Sequence, residues 1–340
     1  MHQQKAIFII ESPLQLLNAI EAYYHFQLTD AILVIIYNEN NKNTLQINKL
    51  AKSNKIWRKI IKIFPQKYKY LKFRTTKNIT KTILKKKKYF KSLDYLFLGD
   101  SRPDFMKHLG NTITANALVL LDDGTATIEL MNSYCHKKQD NLKLFIKHIT
   151  KKYLLNLKIE TLNNIKFFTV YNNPFLKESI ITNTYSHLKN TQLVQKKVNP
   201  NIVYFLGSNI VESNSISFDA YLYYLQKVES YFKNKNIYYL PHRRESEKKL
   251  ALLTERLNFT ITKPDTIIEF YLINNVSVLP GTITGFLCSA LINLKYIFED
   301  QISILSFFIS PEDFSPKKAF RFNEMYSYYK KYISVIDDLQ

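Results

Sequence analysis

Two short stretches of the chain carry residue types that do chemistry together. In Val119-Leu-Leu-Asp-Asp-Gly-Thr-Ala-Thr127, two carboxylates follow an apolar run and precede a glycine. Adjacent carboxylates repel, so at the mouth of a cleft one of them gains a raised pKa and becomes a base useful near neutral pH. The same residues suit a turn, because Asp-Gly turns readily and either Asp122 or Asp123 can cap a following helix. No further carboxylate or histidine cluster accompanies the pair, so a metal site is not expected there.

In Ile237-Tyr-Tyr-Leu-Pro-His-Arg-Arg-Glu-Ser-Glu-Lys-Lys249, an apolar run stops at a proline and His242 follows. A histidine at the carboxyl end of a buried strand can donate a hydrogen bond to an anion or carry a proton. Arg243 and Arg244 raise the local positive potential, or one of them pairs with Glu245 or Glu247. Further on, Glu269 stands in a helical stretch, placed to accept from a ribose diol if it faces inward. In Leu279-Pro-Gly-Thr-Ile-Thr-Gly-Phe-Leu-Cys-Ser-Ala290, a strand, a Pro-Gly turn, Thr282, Thr284 and a helix read as a phosphate cradle. Free amides at a helix start attract anions.

Short apolar runs alternating with helical patterns must position these residues, the pattern of βαβ units around parallel sheets. Strands are expected over 6–10, 31–37, 95–98, 117–121 and 166–170, with helices over 12–26, 42–51, 76–90, 102–109 and 141–155. Ser12-Pro13 marks a helix start. Residues 174–200 form a transition. Strands then recur over 202–206, 237–240, 259–262 and 276–279, with helices over 218–232, 246–257, 266–272 and 283–294. A last helix, 316–336, is expected to pack back on the first domain. The fold class is therefore α/β, two Rossmann-like domains (1–190 and 200–315) with a central cleft. Ligands of such sheets bind at the carboxyl ends of the strands. Gly99, Gly124, Gly207 and Gly281 fall near such ends, where glycine allows close approach. The absence of a G-x-G-x-x-G or Walker loop argues against dinucleotides and ATP.

The chain has 340 residues, a formal net charge of +20 and two cysteines, Cys135 and Cys288. It has no apolar run of the ~20 residues that span a bilayer, and no disulfide framework or zinc site is expected. The first apolar run, closed by Glu11, is too short for a signal peptide, so a cytoplasmic protein is expected. Residues 52–91 hold sixteen Lys or Arg and no acid, including Lys85, Lys86, Lys87 and Lys88. Such a block suits anionic lipid, nucleic acid or an acidic substrate. Ile56, Trp57, Ile60, Ile61 and Phe64 stand at helical spacing among basic residues, as in an interfacial helix over 54–64 on the inner face of a membrane.

Taken together, these landmarks resemble the bacterial sialyltransferases, especially glycosyltransferase family 52 and the related bacterial polysialyltransferases. Asp122-Asp123-Gly124 matches that group's D/E-D/E-G motif, and Pro241-His242-Arg243 stands where its histidine motif falls, with arginine in place of the usual proline. Glu11-Ser-Pro-Leu-Gln-Leu-Leu-Asn-Ala-Ile-Glu21 resembles its N-terminal strand-to-helix segment, and Phe205-Leu-Gly-Ser-Asn-Ile-Val-Glu212 the start of its C-terminal domain. The later serine pair is reduced to Cys288-Ser289. The resemblance implies a GT-B fold and inverting transfer of a sialic or related nonulosonic acid from a CMP-linked donor. It implies no cofactor and no metal.

On that resemblance one carboxylate of Asp122 and Asp123 takes the acceptor proton. His242, Arg243, Gly207, Thr282, Thr284, Cys288 and Ser289 bind the donor nucleotide, with His242 and the threonine or serine hydroxyls at its phosphate, and Glu269 holds the ribose. The implied partners are the CMP-sugar and a glycan or glycolipid of lipooligosaccharide or capsule, with an anionic membrane surface as a candidate and no nucleic acid. Two other readings stay open: a GT-B transferase with a different nucleotide donor, and a basic membrane or nucleic-acid binding protein.

Overall fold

A computed structural model describes residues 4–37, 41–65, 72–85, 92–135, 156–192 and 196–337. The chain divides into two compact units, Met1–His187 and Leu188–Gln340.

The first unit holds β1 (Lys5–Ile10), β2 (Asp30–Ile36), β3 (Lys59–Ile63), β4 (Leu93–Leu98), β5 (Ala115–Leu121), β6 (Ile165–Thr169) and β7 (Ile180–Thr182). They form one parallel sheet in the order β3-β2-β1-β4-β5-β6-β7. β1 and β2, Lys-Ala-Ile-Phe-Ile-Ile and Asp-Ala-Ile-Leu-Val-Ile-Ile, are buried along nearly their whole length. Continuous apolar runs are what central parallel strands need, since helices cover both faces. The helices are α1 (Pro13–His25), α2 (Asn41–Ser53), α3 (Lys72–Leu84), α4 (Asp104–Gly110) and α5 (Thr125–Cys135), with α6 (Ser186–Gln192) at the boundary between units. Ser12 caps α1, its Oγ accepting from Gln15 N at 3.2 Å, and Pro13 occupies the first turn.

The second unit holds β8 (Lys197–Leu206), β9 (Asn236–Leu240), β10 (Thr260–Ile261), β11 (Val278–Gly285), β12 (Ser303–Phe307) and β13 (Ser334–Ile336). Their order is β10-β9-β8-β11-β12-β13, again parallel throughout. The helices are α7 (Phe218–Tyr231), α8 (Glu247–Arg256), α9 (Ile268–Asn274), α10 (Ser289–Phe298) and α11 (Pro316–Tyr329). In each unit the strand order reverses beside the first strand, at β1/β4 and at β8/β11, and such a reversal places a ligand-binding crevice at the strands' carboxyl ends.

Three expectations are corrected. Residues 54–64 are not a helix: a turn leads into edge strand β3, where Ile61 and Ile63 are buried and Lys59 and Lys62 exposed. The working period is two rather than 3.6. Trp57 packs edge-on against Phe8 and Tyr23, so it serves the core of this unit and not an interfacial face.

The second correction concerns 276–294. β11 runs through Gly285, because Thr282, Ile283, Thr284 and Gly285 pair with β8, and Thr282 and Ile283 also with β12. Their β-branched side chains suit that buried ladder. Pro280-Gly281 is an irregularity inside the strand rather than a turn: the β8–β11 register shifts between Pro280 and Thr282, and a Cβ on Gly281 would lie 2.6 Å from Pro200 Cα. The helix starts only at Ser289.

Third, the helix expected over 316–336 ends at Tyr329, and 334–336 form β13 beside β12. Tyr326 fixes α11 within the second unit, its hydroxyl donating to Phe307 O at 3.0 Å and accepting from Ile309 N at 3.1 Å.

The expected helix over 141–155 and Lys86, Lys87 and Lys88 lie outside the described residues, while Lys85 is exposed just past α3. Among the described residues, no helix is long and apolar enough to cross a membrane.

Candidate active site

In the first unit, Asp122 and Asp123 directly follow β5, and their surroundings separate them. Asp122 is 1% exposed. Its Oδ1 accepts from Gly124 N at 2.7 Å and Thr127 Oγ1 at 3.1 Å, and its Oδ2 from Thr169 Oγ1 at 2.6 Å and Val170 N at 3.3 Å. Its main chain is held too: Asp122 N donates to Phe168 O, and Asn18 Nδ2 donates to Asp122 O at 2.9 Å. Burial pushes the Asp122 carboxyl up to about 6 against the pull of those four hydrogen bonds. Gly124 follows at φ 70°, a conformation that glycine adopts without strain.

Asp123 differs. A quarter of its side chain is exposed, and its carboxylate meets Ser12 Oγ at 3.2 Å and the Arg102 guanidinium at 3.4 Å. Burial and the Asp100 carboxylate push it up to about 6, while Arg102 and the Gln15 amide oppose the rise. A carboxylate near that value is ionised at neutral pH and still basic enough to take a proton as a bond forms.

Sequence reasoning missed three neighbours here. Glu11 follows β1, Asp100 stands two residues past β4, and Arg102 grips Asp100 through Nε (3.0 and 2.9 Å) and a terminal nitrogen (2.8 Å). Burial, then Asp100 and Asp123, push Glu11 up to about 7, with Arg102 lowering it. Their position at the ends of adjacent strands was the available signal. Gly99 leaves room for Gln15 in the same corner, since a Cβ there would lie 2.1 Å from Gln15 Oε1, the oxygen that accepts Glu11 N at 2.8 Å.

In the second unit, His242 follows β9 in a turn closed by Glu245 N donating to His242 O at 2.9 Å. Its Nδ1 accepts from Arg244 N at 3.2 Å, which leaves Nε2–H as the ring's donor. Burial first, then Arg243, Arg244 and Lys249, pulls the imidazole down to about 4, so it is neutral at neutral pH.

The turn is held by Glu245, expected from sequence as a partner for Arg243 or Arg244 and paired instead with Lys249. Glu245 is buried and accepts from His242 N and Tyr239 Oη, both at 2.6 Å. It also pairs with Lys249 at 2.6 Å. Lys249, 3% exposed, donates to Ser208 O at 2.9 Å and lies 4.0 Å from the Tyr221 ring centroid. One buried pair thus ties the loop after β8 to the loop after β9. The i, i+4 order of Glu245 and Lys249 was the sequence signal for it. Gly207 sits against the pair: a Cβ there would lie 2.3 Å from Glu245 Oε2 and 2.7 Å from Tyr239 Oη.

Glu245→Ala removes the carboxylate 2.6 Å from the buried Lys249 ammonium and leaves it only Glu212, 3.6 Å away, an expected cost at the lower end of the about 3–5 kcal/mol of a broken buried pair. Urea denaturation followed by tyrosine fluorescence measures it, and a loss below about 1 kcal/mol, the scale of an exposed pair, contradicts the assigned role.

Glu269 does face inward: it is buried in α9 and accepts from Asn293 Nδ2 at 2.9 Å. Cys288 precedes α10, its thiol pushed up to about 11 by burial and by the Glu269 and Glu245 carboxylates, which rules it out as a thiolate. Ser289 opens α10. Thr282 and Thr284 lie within β11 instead, and the Thr284 hydroxyl is buried without a hydrogen-bond partner. Among the described residues, no three His, Cys, Asp or Glu side chains gather as ligands for a metal ion.

Comparison with curated proteins finds no significant match. Solved structures share the fold. A putative UDP-N-acetylglucosamine 2-epimerase from Listeria monocytogenes is 8% identical, with TM-score 0.57 over 90% of this chain and 79% of that one. The UDP-GlcNAc 2-epimerase of Neisseria meningitidis is 10% identical, with TM-score 0.53 over 98% and 95%. UGT89C1 of Arabidopsis thaliana is 10% identical, with TM-score 0.50 over 98% and 86%. The two parallel sheets with their helices are the expected GT-B class of α/β fold. The alpha-2,8-polysialyltransferase family model matches residues 6–306, a span that contains the Asp-Asp-Gly loop, His242 and Glu269. The chain belongs to the alpha-2,8-polysialyltransferase family and is a sialyltransferase-like glycosyltransferase.

Proposed function

We propose that the protein transfers a sialic acid or related nonulosonic acid from its CMP-linked donor to a hydroxyl of a surface glycan, with inversion and without a divalent metal. The observation that carries this reading is the locked imidazole: Nδ1 of His242 accepts from Arg244 N, so a neutral ring offers Nε2–H beside Arg243 and Arg244. A CMP-sugar presents a single phosphate. Its leaving group therefore needs less charge neutralisation than a diphosphate, and a fixed donor beside guanidinium groups supplies it. Ser289, in the first turn of α10, and the Gly207 loop are the further groups placed at strand ends in the same unit, and Glu269 is the inward carboxylate for the ribose.

Asp123 serves as the base. The acceptor hydroxyl attacks the anomeric carbon as the bond to the CMP phosphate oxygen breaks through an oxocarbenium-like state. The hydroxyl proton passes to Asp123, and CMP departs with the bonding pair. A single displacement of this kind inverts the anomeric centre. Asp122, whose carboxylate is fully engaged by Gly124 and Thr127 of its own loop and by Thr169 and Val170 at the end of β6, holds Asp123 in place.

The test is transfer in EDTA from CMP-sialic acid, against UDP-GlcNAc, to an oligosialic acid acceptor, followed by mass spectrometry and by NMR of the new linkage. Extension from the CMP donor alone is expected, and its anomeric configuration opposite to the donor's. Extension from UDP-GlcNAc alone, or from neither donor unless metal is added, refutes the proposal.

A further inference from the structure

Resting on Asp123 as the base, we infer that Asp100 and Arg102 act as a linked pair that positions Asp123 and sets the pH at which it accepts a proton. The groups around Asp123 come from every neighbouring element. Ser12, the cap of α1, and Gln15 in its first turn donate to its carboxylate, Glu11 follows β1, Asp122 precedes it, and Asp100 and Arg102 sit between β4 and α4. Glu129 of α5 also acts on Arg102.

Among these charged groups Arg102 is the cation, and its placement is not left to a free side chain. Asp100 accepts Arg102 N at 2.9 Å with the same Oδ1 that takes Arg102 Nε, and a second guanidinium nitrogen reaches Asp100 Oδ2 at 2.8 Å. Two-point binding of this kind fixes the plane of a guanidinium. That same terminal nitrogen also reaches Asp123 Oδ2, at 3.4 Å, so it bridges the two carboxylates.

Asp100 and Arg102 consequently act on Asp123 with opposite sign. Asp100 makes ionisation of Asp123 harder, Arg102 makes it easier, and Asp100 also decides where Arg102 stands. Both are positioning residues, since they work through Asp123.

The opposite signs give a test that a merely structural role would not pass. The Asp123 carboxyl is titrated by 13C NMR in the aspartate-labelled 340-residue protein, as wild type, Arg102→Met and Asp100→Asn. The Asp122 signal, from a carboxyl that contacts neither variant position, reports that the loop is intact. Arg102→Met is expected to raise the Asp123 midpoint by at least about half a unit, as loss of a nearby opposite charge does. Asp100→Asn is expected to lower it, and Arg102→Lys, which keeps the charge and loses the fork, to fall between wild type and Arg102→Met.

In the transfer assay the acid limb moves with these midpoints: upward in pH for Arg102→Met and downward for Asp100→Asn. Midpoints that move in one direction, or do not move, overturn the inference. The titration needs no substrate, so it stands apart from the base assignment, which fails separately if Asp123→Asn keeps its transfer activity.

Discussion

Asp123→Asn is expected to lower kcat by about 10²–10⁴-fold, the usual contribution of a positioned base, with little change in stability. Its quarter-exposed carboxylate has hydrogen bonds that an asparagine oxygen can accept in part. Asp122→Asn behaves differently. All four of its carboxylate hydrogen bonds come from donors, two backbone N–H groups and two threonine hydroxyls. An amide nitrogen in place of one oxygen turns donor against donor and leaves buried groups unpaired, at about 1–3 kcal/mol for each. Asp122→Asn should therefore lose thermal stability first and activity as a consequence. Paired measurements of kcat and of the denaturation midpoint separate the two. If Asp122→Asn keeps its stability and loses activity while Asp123→Asn stays active, the roles are reversed.

His242→Ala is the second large effect. Removing one preorganised donor to a developing anion costs about 10²–10³-fold in kcat. The fold should survive, because the contacts that secure this turn are made by the His242 main chain, whose N–H and carbonyl engage Glu245, and alanine keeps both. The imidazole is held neutral, at about 4, so the sign of its pH dependence is fixed. An ordinary histidine would place a limb near 6.5 in kcat/KM. Here the limb expected in the range pH 5–7 belongs to Asp123 near 6, with the rate rising as pH rises. A rate that falls as pH rises through 6 contradicts the assignment. So does a His242→Ala enzyme with wild-type turnover.

Much of the scaffold was legible in the sequence because its signals were local. The continuous apolar runs of β1, β2 and β9, the Ser12-Pro13 helix start and the strand-end placement of Asp122, Asp123 and His242 need only neighbouring residues. What was not legible depends on contacts distant in sequence. The helical spacing of 54–64 gave way to an edge strand because 59–63 pair with β2, while Trp57 ahead of it packs on Phe8 and Tyr23. Pro280-Gly281, a turn by its residues, is held in β11 by the close approach of Pro200. At the site, the division of labour between Asp122 and Asp123 is set by Thr169 and Val170 on one side and Arg102 on the other. The burial of Glu245 and Lys249 likewise comes from Tyr239, Tyr221 and Ser208, which lie outside the charged stretch itself.

The central claim is a CMP-linked donor held by His242, and calorimetric titration tests it most directly: CMP, then UDP, into the protein in EDTA, repeated with His242→Ala. CMP is predicted to bind without metal and more tightly than UDP, and His242→Ala to weaken it about 10–100-fold, the worth of a hydrogen bond to a charged group. UDP bound as tightly as CMP, CMP binding that requires a divalent metal, or CMP affinity unchanged in His242→Ala would contradict it.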